Sequence, residues 1–204
     1  KQFLQSNNSQ MLQYSSYEDA VNKFNWEQAW ELFDGDRENF NIAQECVDRH
    51  PAQEKALRIK FADGHCEQYN FRKLSQASSQ FANALERLGV EPQESVAIML
   101  DPSIEFYVSL FGILKRGAIV VPCFPQFGAE SLAFRLSDSN VKTLIIGEDA
   151  KDKIPSWNSL TTITNGSEFI DFIKGMPDTY KPNTNAKDVA VYQYTSGTSR
   201  QYPE

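Results

Sequence analysis

The residues with the clearest chemical potential form one short run near the end of the chain: Thr195, Ser196, Gly197, Thr198 and Ser199. Short hydroxyls and free backbone N–H groups can donate several hydrogen bonds to one phosphate without adding bulk. Glycine at position 197 would let the backbone bend closely around an oxygen, because it has no Cβ. The run therefore predicts a phosphate-binding loop. An ordinary polar turn has the same composition, so the run alone leaves both interpretations open.

This loop follows a predicted strand over 189–194, and ligands of open α/β sheets usually lie beyond the carboxyl ends of strands. It is not a Walker A loop, because no Gly-Lys-Ser/Thr follows at the required spacing. Tyr192 and Tyr194 alternate along the strand, where such aromatic residues either pack or line a pocket. Packing is the commoner outcome, and both interpretations stay open.

The elements before that strand alternate between apolar strands and amphipathic helices. This alternation predicts an α/β fold with a mainly parallel sheet flanked by helices. The predicted hairpin covers 56–61 and 66–71, the later strands cover 95–100, 118–121 and 141–146, and the helices cover 42–50, 74–88, 102–116, 129–136 and 167–174. Asp101 and Pro102 are predicted as the N-cap and first residue of the helix that follows strand 95–100. In helix 167–174 we expect Phe169, Ile170 and Ile173 to face inward.

The composition excludes several classes of function. A chain of 204 residues with 41% apolar residues can bury one sizeable core, and its net charge of -7 offers no basic field for nucleic acid. Two histidines are too few for a histidine-rich metal site and leave little for a Ser-His-Asp triad. The longest apolar stretch, over 106–121, is interrupted by Gly112, Lys115, Arg116 and Gly117, so no membrane span is predicted.

The number and spacing of the cysteines bear on the redox state of the compartment in which the protein is expected to reside. Cys46, Cys66 and Cys123 are odd in number and too widely spaced for a Cys-x-x-Cys pair. We therefore expect reduced thiols and a cytoplasmic location. Cys123 lies between two prolines and is predicted to be a small buried or loop residue rather than a reactive one.

Four segments carry a family resemblance in a fixed order. Residues 69–74 read Tyr-Asn-Phe-Arg-Lys-Leu, 114–122 read Leu-Lys-Arg-Gly-Ala-Ile-Val-Val-Pro, 127–139 begin Phe-Gly-Ala-Glu, and 194–199 read Tyr-Thr-Ser-Gly-Thr-Ser. The last segment resembles the phosphate-binding signature of the adenylate-forming superfamily, which includes acyl-CoA synthetases, luciferases and peptide-synthetase adenylation domains. The first two resemble its earlier core motifs, and 127–139 is similar to acetyl- and medium-chain acyl-CoA synthetases.

The resemblance implies the first part of the large N-terminal domain of an acyl-CoA synthetase-like fold. Its parent would be an AMP-forming enzyme that uses ATP, Mg²⁺ and CoA to convert a small carboxylic acid to an acyl-adenylate and then a thioester. Residues 195–199 would hold the β- and γ-phosphates of ATP. Phe127 and Gly128 lie where related enzymes contact CoA, whereas Gly128 could also merely start a helix. Arg135 is expected to be a structural or solvated charge rather than a ligand of a CoA phosphate.

The chain also departs from the family pattern. Arg200 stands where the signature has a glycine, and no lysine ends the signature, since Glu204 occupies that position under one alignment. The parts that such enzymes use for adenine, Mg²⁺ and the catalytic lysine would follow residue 204. We therefore assign no catalytic residue and no metal ligand, and expect no adenylation by this chain alone. The expected organisation is an arm with helices over 1–50, an α/β subdomain over 51–187, and the start of a truncated second subdomain over 188–204.

Other classes of function stay open at this point. The parent could be an adenylating enzyme that does not use CoA, or the chain could be a non-catalytic nucleotide-binding module. It could also act as an interaction module, because part of a domain leaves apolar surface uncovered and can self-associate.

Overall fold

The computed structural model describes residues 14–157 and 159–195. The helices are α1 (Tyr17–Lys23), α2 (Trp26–Ala29), α3 (Phe71–Leu88), α4 (Ile104–Arg116), α5 (Ala129–Asp138) and α6 (Ser167–Ile173). The strands are β1 (Lys55–Lys60), β2 (Cys66–Asn70), β3 (Ser95–Met99), β4 (Ile119–Pro122), β5 (Thr143–Ile146) and β6 (Thr161–Thr164). Short irregular helical turns cover Trp30–Leu32, Gln44–Asp48 and Glu148–Lys153. No helix within the described residues is long and apolar enough to cross a membrane.

Four parallel strands form the central sheet in the order β4-β3-β5-β6. The strands β1 and β2 form a separate antiparallel hairpin, as their turn predicted. The predicted α/β class with a mainly parallel sheet flanked by helices is therefore confirmed. Strand β6 was not predicted, although its Thr-Thr-Ile-Thr sequence is rich in the β-branched residues that favour strands.

The central strand β3 divides the core into two layers. Val96 and Ile98 belong to the cluster beneath α3 and α4, whereas Ala97 and Met99 belong to the cluster beneath α5. Successive side chains of a strand point to opposite faces, so one fully buried strand supplies both layers. This arrangement places α5 and the turn Glu148–Lys153 on one face of the sheet, opposite α3 and α4.

Several helix ends follow their predicted chemistry. The Asn70 side chain accepts a hydrogen bond from the Lys73 N–H at 2.9 Å and caps α3. Gly89 and Gly117 end α3 and α4 with left-handed backbone, at φ values of 92° and 74°. Asn41 accepts hydrogen bonds from the N–H groups of Ala43 and Gln44, which caps the turn that follows it.

Two local predictions were wrong. Helix α4 begins at Ile104 rather than at Pro102, because the Ser103 hydroxyl accepts the hydrogen bond from the Phe106 N–H and takes the capping role. In α6, Ile170 is 59% exposed, although Phe169 is buried as expected. Phe172 packs on Phe81 instead, because it lies three residues from Phe169 on the same helix face.

Candidate functional site

The chain approaches residues 195–199 along the edge of β4. The Val120 N–H donates to the Ala190 carbonyl, and the Tyr192 N–H donates to the Val120 carbonyl, each at 2.9 Å. This pairing is a single parallel bridge between Val120 and Val191. The strand predicted over 189–194 is thus reduced to this bridge, and the described backbone pairing with β4 ends at Tyr192.

Of the predicted phosphate-binding residues, the structure describes only the first. Thr195 is exposed, and it lies immediately after Tyr194. Ser196, Gly197, Thr198 and Ser199 lie outside the described residues, as do Arg200 and Glu204. The part of the site that can be built from contacts is therefore the entry to the loop.

Helix α5 holds Tyr194 at that entry. The Tyr194 hydroxyl donates a hydrogen bond to the Asp138 carboxylate, and its ring packs edge-on to Phe134 with ring centroids 6.4 Å apart. Partial burial and this hydrogen bond raise the pKa of Tyr194 to about 12. Tyr194 thus packs on α5 and also lines the cleft described below, as does the exposed Tyr192, so both interpretations of these tyrosines apply.

Arg135 is also on α5, and its guanidinium lies between the rings of Phe127 and Tyr194. Its guanidinium carbon is 4.1 Å from the centroid of the Phe127 ring and 5.4 Å from that of Tyr194. The Nη1 atom donates to the Ser131 carbonyl at 2.9 Å and also contacts the Ser131 hydroxyl. The Nε atom is buried and has no hydrogen-bond partner among the described residues. Arg135 therefore packs as a cation between rings rather than extending into solvent.

Phe127 and Gly128 lie at the start of α5. Phe127 is half-buried beneath Arg135, and its ring meets Phe124 edge-on at 5.4 Å. Gly128 is exposed and is the N-cap of α5, with no side chain capping this end. A Cβ at Gly128 would meet nothing within 4 Å, so open space lies in front of the helix. Gly128 starts a helix, as one interpretation expected, and also leaves room for a ligand.

The structure therefore joins two segments that the sequence had treated separately. Phe127, Arg135 and Tyr194 form one stack that connects the start of α5 with the entry to residues 195–199. Asp138 was not among the predicted site residues, whereas Arg135 has the structural role that the sequence predicted. The spacing of Ser131, Arg135 and Asp138 places all three on one face of a helix, and this signal could have identified the group.

A cleft of about 560 Å³ lies beside Tyr194, at the amino ends of the parallel strands. It is lined by the first residues of β3 and β4, the end of α5, and the segment before Thr195: Gln93, Glu94, Ser95, Ile119, Asp138, Ser139, Asn140, Tyr192, Gln193 and Tyr194. This lining contains two carboxylate residues and no lysine or arginine. Because a phosphate needs donors and cations, the cleft itself is not suited to bind one.

Several other groups are structural or lie apart from this entry. Cys123 is buried, and burial raises the pKa of its thiol to about 11, so it is not a reactive thiolate. His65 is exposed beside the hairpin turn. Within residues 14–157 and 159–195, no group of three or more histidine, cysteine or acidic side chains comes together as a metal site.

Comparison with known proteins defines the class to which this fold and loop belong. The family model described as "AMP-binding enzyme" matches residues 43–199. The chain therefore belongs to the AMP-binding enzyme family, and the predicted family resemblance is confirmed.

Two relatives of similar sequence are synthases of Bacillus subtilis. One subunit of plipastatin synthase is 37% identical over 131 residues, and one subunit of mycosubtilin synthase is 30% identical over 132 residues. Each match covers about two thirds of this chain but 5% of the relative. The chain therefore spans a small part of these synthases.

Solved structures with the same fold match a larger share of this chain than the synthases do. An acyl-CoA synthetase from Brucella canis superposes with a TM-score of 0.82 at 24% identity, covering 90% of this chain and 36% of that chain. The anthranilate CoA ligase AuaEII, in complex with anthranoyl-AMP, superposes with a TM-score of 0.71 at 28% identity, covering 79% of this chain and 32% of that chain. The chain thus spans about a third of each structure.

Proposed function

We propose that this chain is the leading portion of an AMP-forming acyl-CoA synthetase and that residues 195–199 bind phosphate. The observation that carries the proposal is that Tyr194, held on α5, leads directly into the Ser/Thr/Gly run at the end of the family match. The similarity to the anthranilate CoA ligase AuaEII, at 28% identity, supports the acyl-CoA assignment. The proposed subdomains are 1–50, 51–187 and 188–204.

The loop would act on the phosphates of ATP. In this proposal, the hydroxyls and backbone N–H groups of 195–199 hold the β- and γ-phosphates while a small carboxylate attacks the α-phosphate. Donors fixed in place before the reaction stabilise the charge that develops on the departing pyrophosphate. Bound Mg²⁺ would neutralise part of that charge, and we assign it no ligand in the described residues.

The start of α5 is proposed as the CoA contact. The open space in front of Gly128 and the half-buried ring of Phe127 fit a ligand that approaches the helix N-terminus. In the second half-reaction, the CoA thiol would displace AMP from the acyl-adenylate.

A second candidate is an adenylating enzyme that does not use CoA. The observation that favours this alternative is the 37% identity to a subunit of plipastatin synthase. The protein encoded by the complete reading frame should be supplied with ATP and a panel of carboxylic and amino acids, with and without CoA. Acyl-CoA as a product would support the synthetase, whereas adenylate formation without CoA transfer would support the alternative.

The loop assignment can be tested on the chain itself. We expect calorimetry to detect saturable ATP binding by residues 1–204, and Thr198→Val to weaken it. Thr179→Val, at an exposed position outside the loop, is the matched control. We expect no carboxylate-dependent ATP–pyrophosphate exchange by this chain alone. Absence of ATP binding, or equal effects of the two threonine variants, would contradict the loop assignment.

Two further properties are proposed. Val189, Val191 and Tyr192 each remain 41% exposed beside β4, and we propose that this apolar surface lets the isolated chain self-associate. Light scattering across a concentration series tests this, and a strictly monomeric chain would contradict it. We also propose a cytoplasmic location, which fits three unpaired thiols and is tested by cell fractionation.

A further inference from the structure

We propose that Arg135 is a positioning residue for the phosphate-binding loop, acting through the ring of Tyr194. This inference rests on the proposed function of residues 195–199. The guanidinium carbon of Arg135 lies 5.4 Å from the ring centroid of Tyr194. Tyr194 is the residue directly before Thr195. Its effect on the loop would therefore be transmitted through that ring.

The need for such a residue follows from the backbone. Pairing between the last segment and β4 comprises one bridge at Val191, and the backbone hydrogen bonds described for this segment reach no further than the Tyr192 N–H. The position of Tyr194 therefore depends on its side chain. That side chain has three contacts on α5: the Phe134 ring and the Arg135 guanidinium at its ring, and the Asp138 carboxylate at its hydroxyl.

The setting of Arg135 makes it a fixed support. The Phe127 ring covers one side of the guanidinium at 4.1 Å, and Ser131 binds Nη1 from one helical turn earlier. Its buried Nε has no hydrogen-bond partner among the described residues, so the aromatic contacts replace part of its hydration. A planar cation held in this way fixes the plane against which Tyr194 packs.

The same stack links the loop to the start of α5. Phe127 precedes Gly128, the N-cap of α5, and shares the guanidinium with Tyr194. A change at Arg135 is therefore expected to loosen both aromatic rings. This distinguishes Arg135 from a charge that serves only the solubility of the helix.

The experiment uses the complete 204-residue chain labelled with 3-fluorotyrosine. The ¹⁹F signal of Tyr194 is identified by its loss in Tyr194→Phe. Arg135→Gln and Asp138→Asn are compared with Arg87→Gln, a control on α3 whose guanidinium contacts the Phe172 carbonyl. Calorimetry with ATP and with inorganic pyrophosphate gives the Kd of each variant at a temperature where all are folded.

We expect Arg135→Gln to move the Tyr194 signal toward that of free fluorotyrosine. We also expect it to raise the Kd for ATP and for pyrophosphate by about 2- to 30-fold, the range of one cation–π contact. Asp138→Asn should move both readouts in the same direction, and Arg87→Gln should move neither. The double variant Arg135→Gln/Tyr194→Leu should bind no more weakly than Tyr194→Leu, because the arginine acts through that ring.

The outcomes separate this inference from the proposed function. A wild-type chain that binds ATP, with Arg135→Gln unchanged in either readout, would overturn the positioning role and leave the loop assignment intact. Additive losses in the double variant would do the same. A wild-type chain that binds neither ATP nor pyrophosphate would remove the loop assignment and the positioning role together.

Discussion

The ammonium group of Lys115 lies 2.7 Å from Oδ1 of Asp48, and 1% of the lysine side chain is exposed. The same Nζ donates to the Ser75 carbonyl at 3.0 Å and to the Ser79 hydroxyl at 2.9 Å. Lys115 belongs to the segment 114–122 that resembles a core motif of the family. In this chain the motif lysine joins α4 to α3 and to the turn Gln44–Asp48, so its role is to hold the fold together.

Replacing this lysine alone should be costly. Lys115→Met removes the cation beside the Asp48 carboxylate. The carboxylate keeps its existing hydrogen bond from the Ser75 hydroxyl, at 2.6 Å. We expect a loss of about 2–3 kcal/mol in the free energy of unfolding, because the Asp48 carboxylate, whose side chain is 16% exposed, loses its cation. Urea denaturation measures this value. The double variant Lys115→Met/Asp48→Asn should lose less than the sum of the two single variants, and strict additivity would contradict the pairing.

A methyl group at the contact between α3 and α4 should also destabilise the fold. A Cβ at Gly112 would lie 2.7 Å from Cδ1 of Phe81 and 2.9 Å from the Ser78 carbonyl oxygen. Phe81 is fully buried and stacks on Phe169 with centroids 5.2 Å apart, so it has little room to move. For Gly112→Ala we expect a net loss of about 1–2 kcal/mol on urea denaturation, despite the better helix propensity of alanine. An increase in stability would show that α3 and α4 can shift apart enough to accommodate the methyl group.

The same substitution at the start of α5 should leave the fold intact. Gly128 has an ordinary φ of −72°, and a Cβ there meets nothing within 4 Å. We expect Gly128→Ala to change the free energy of unfolding by less than about 1 kcal/mol, since only cap preference and unfolded-chain entropy differ. In the longer acyl-CoA synthetase that we propose, the variant should raise the KM for CoA and leave ATP–pyrophosphate exchange unchanged. Loss of exchange to the same extent would argue against a CoA contact at this position.

Cys123 should make the chain less stable in alkaline solution. Burial raises the pKa of its thiol from 9.0 to about 11. The folded state therefore keeps the proton that the unfolded chain releases, so the contribution is complete below about pH 9 and lost as the pH rises to 11. At pH 10 we expect a loss on the order of 1 kcal/mol in the free energy of unfolding.

The measurement compares urea denaturation of the wild type and Cys123→Ala at pH 8 and pH 10. The difference between the two proteins should shrink by that amount, because titrating groups away from Cys123, such as Tyr69, affect both. A difference that stays constant with pH would show that the thiol titrates normally in the folded protein.

The sequence predicted well where one helix or strand carries its own signal. The stripe of α3, its asparagine cap and its terminal glycine are neighbours along the chain, so periodicity and capping chemistry located them. The fully apolar strand β3 likewise indicated a parallel sheet covered on both faces. Prediction was less accurate where two local signals competed, as at Asp101 and Ser103. There the cap was decided by which side chain met the backbone of the helix.

The candidate site shows the same division. Residue types and their order were enough to identify the family resemblance, the Ser/Thr/Gly run at 195–199 and the segment at Phe127 and Gly128. The folded chain was needed to show that Arg135 lies between Phe127 and Tyr194, and that the motif residue Lys115 is buried against Asp48. Lys115 and Asp48 are 67 positions apart, and Arg135 and Tyr194 are similarly distant along the chain. Local periodicity carries no information about such distant partners, because the sheet and its helices must first assemble to bring them together.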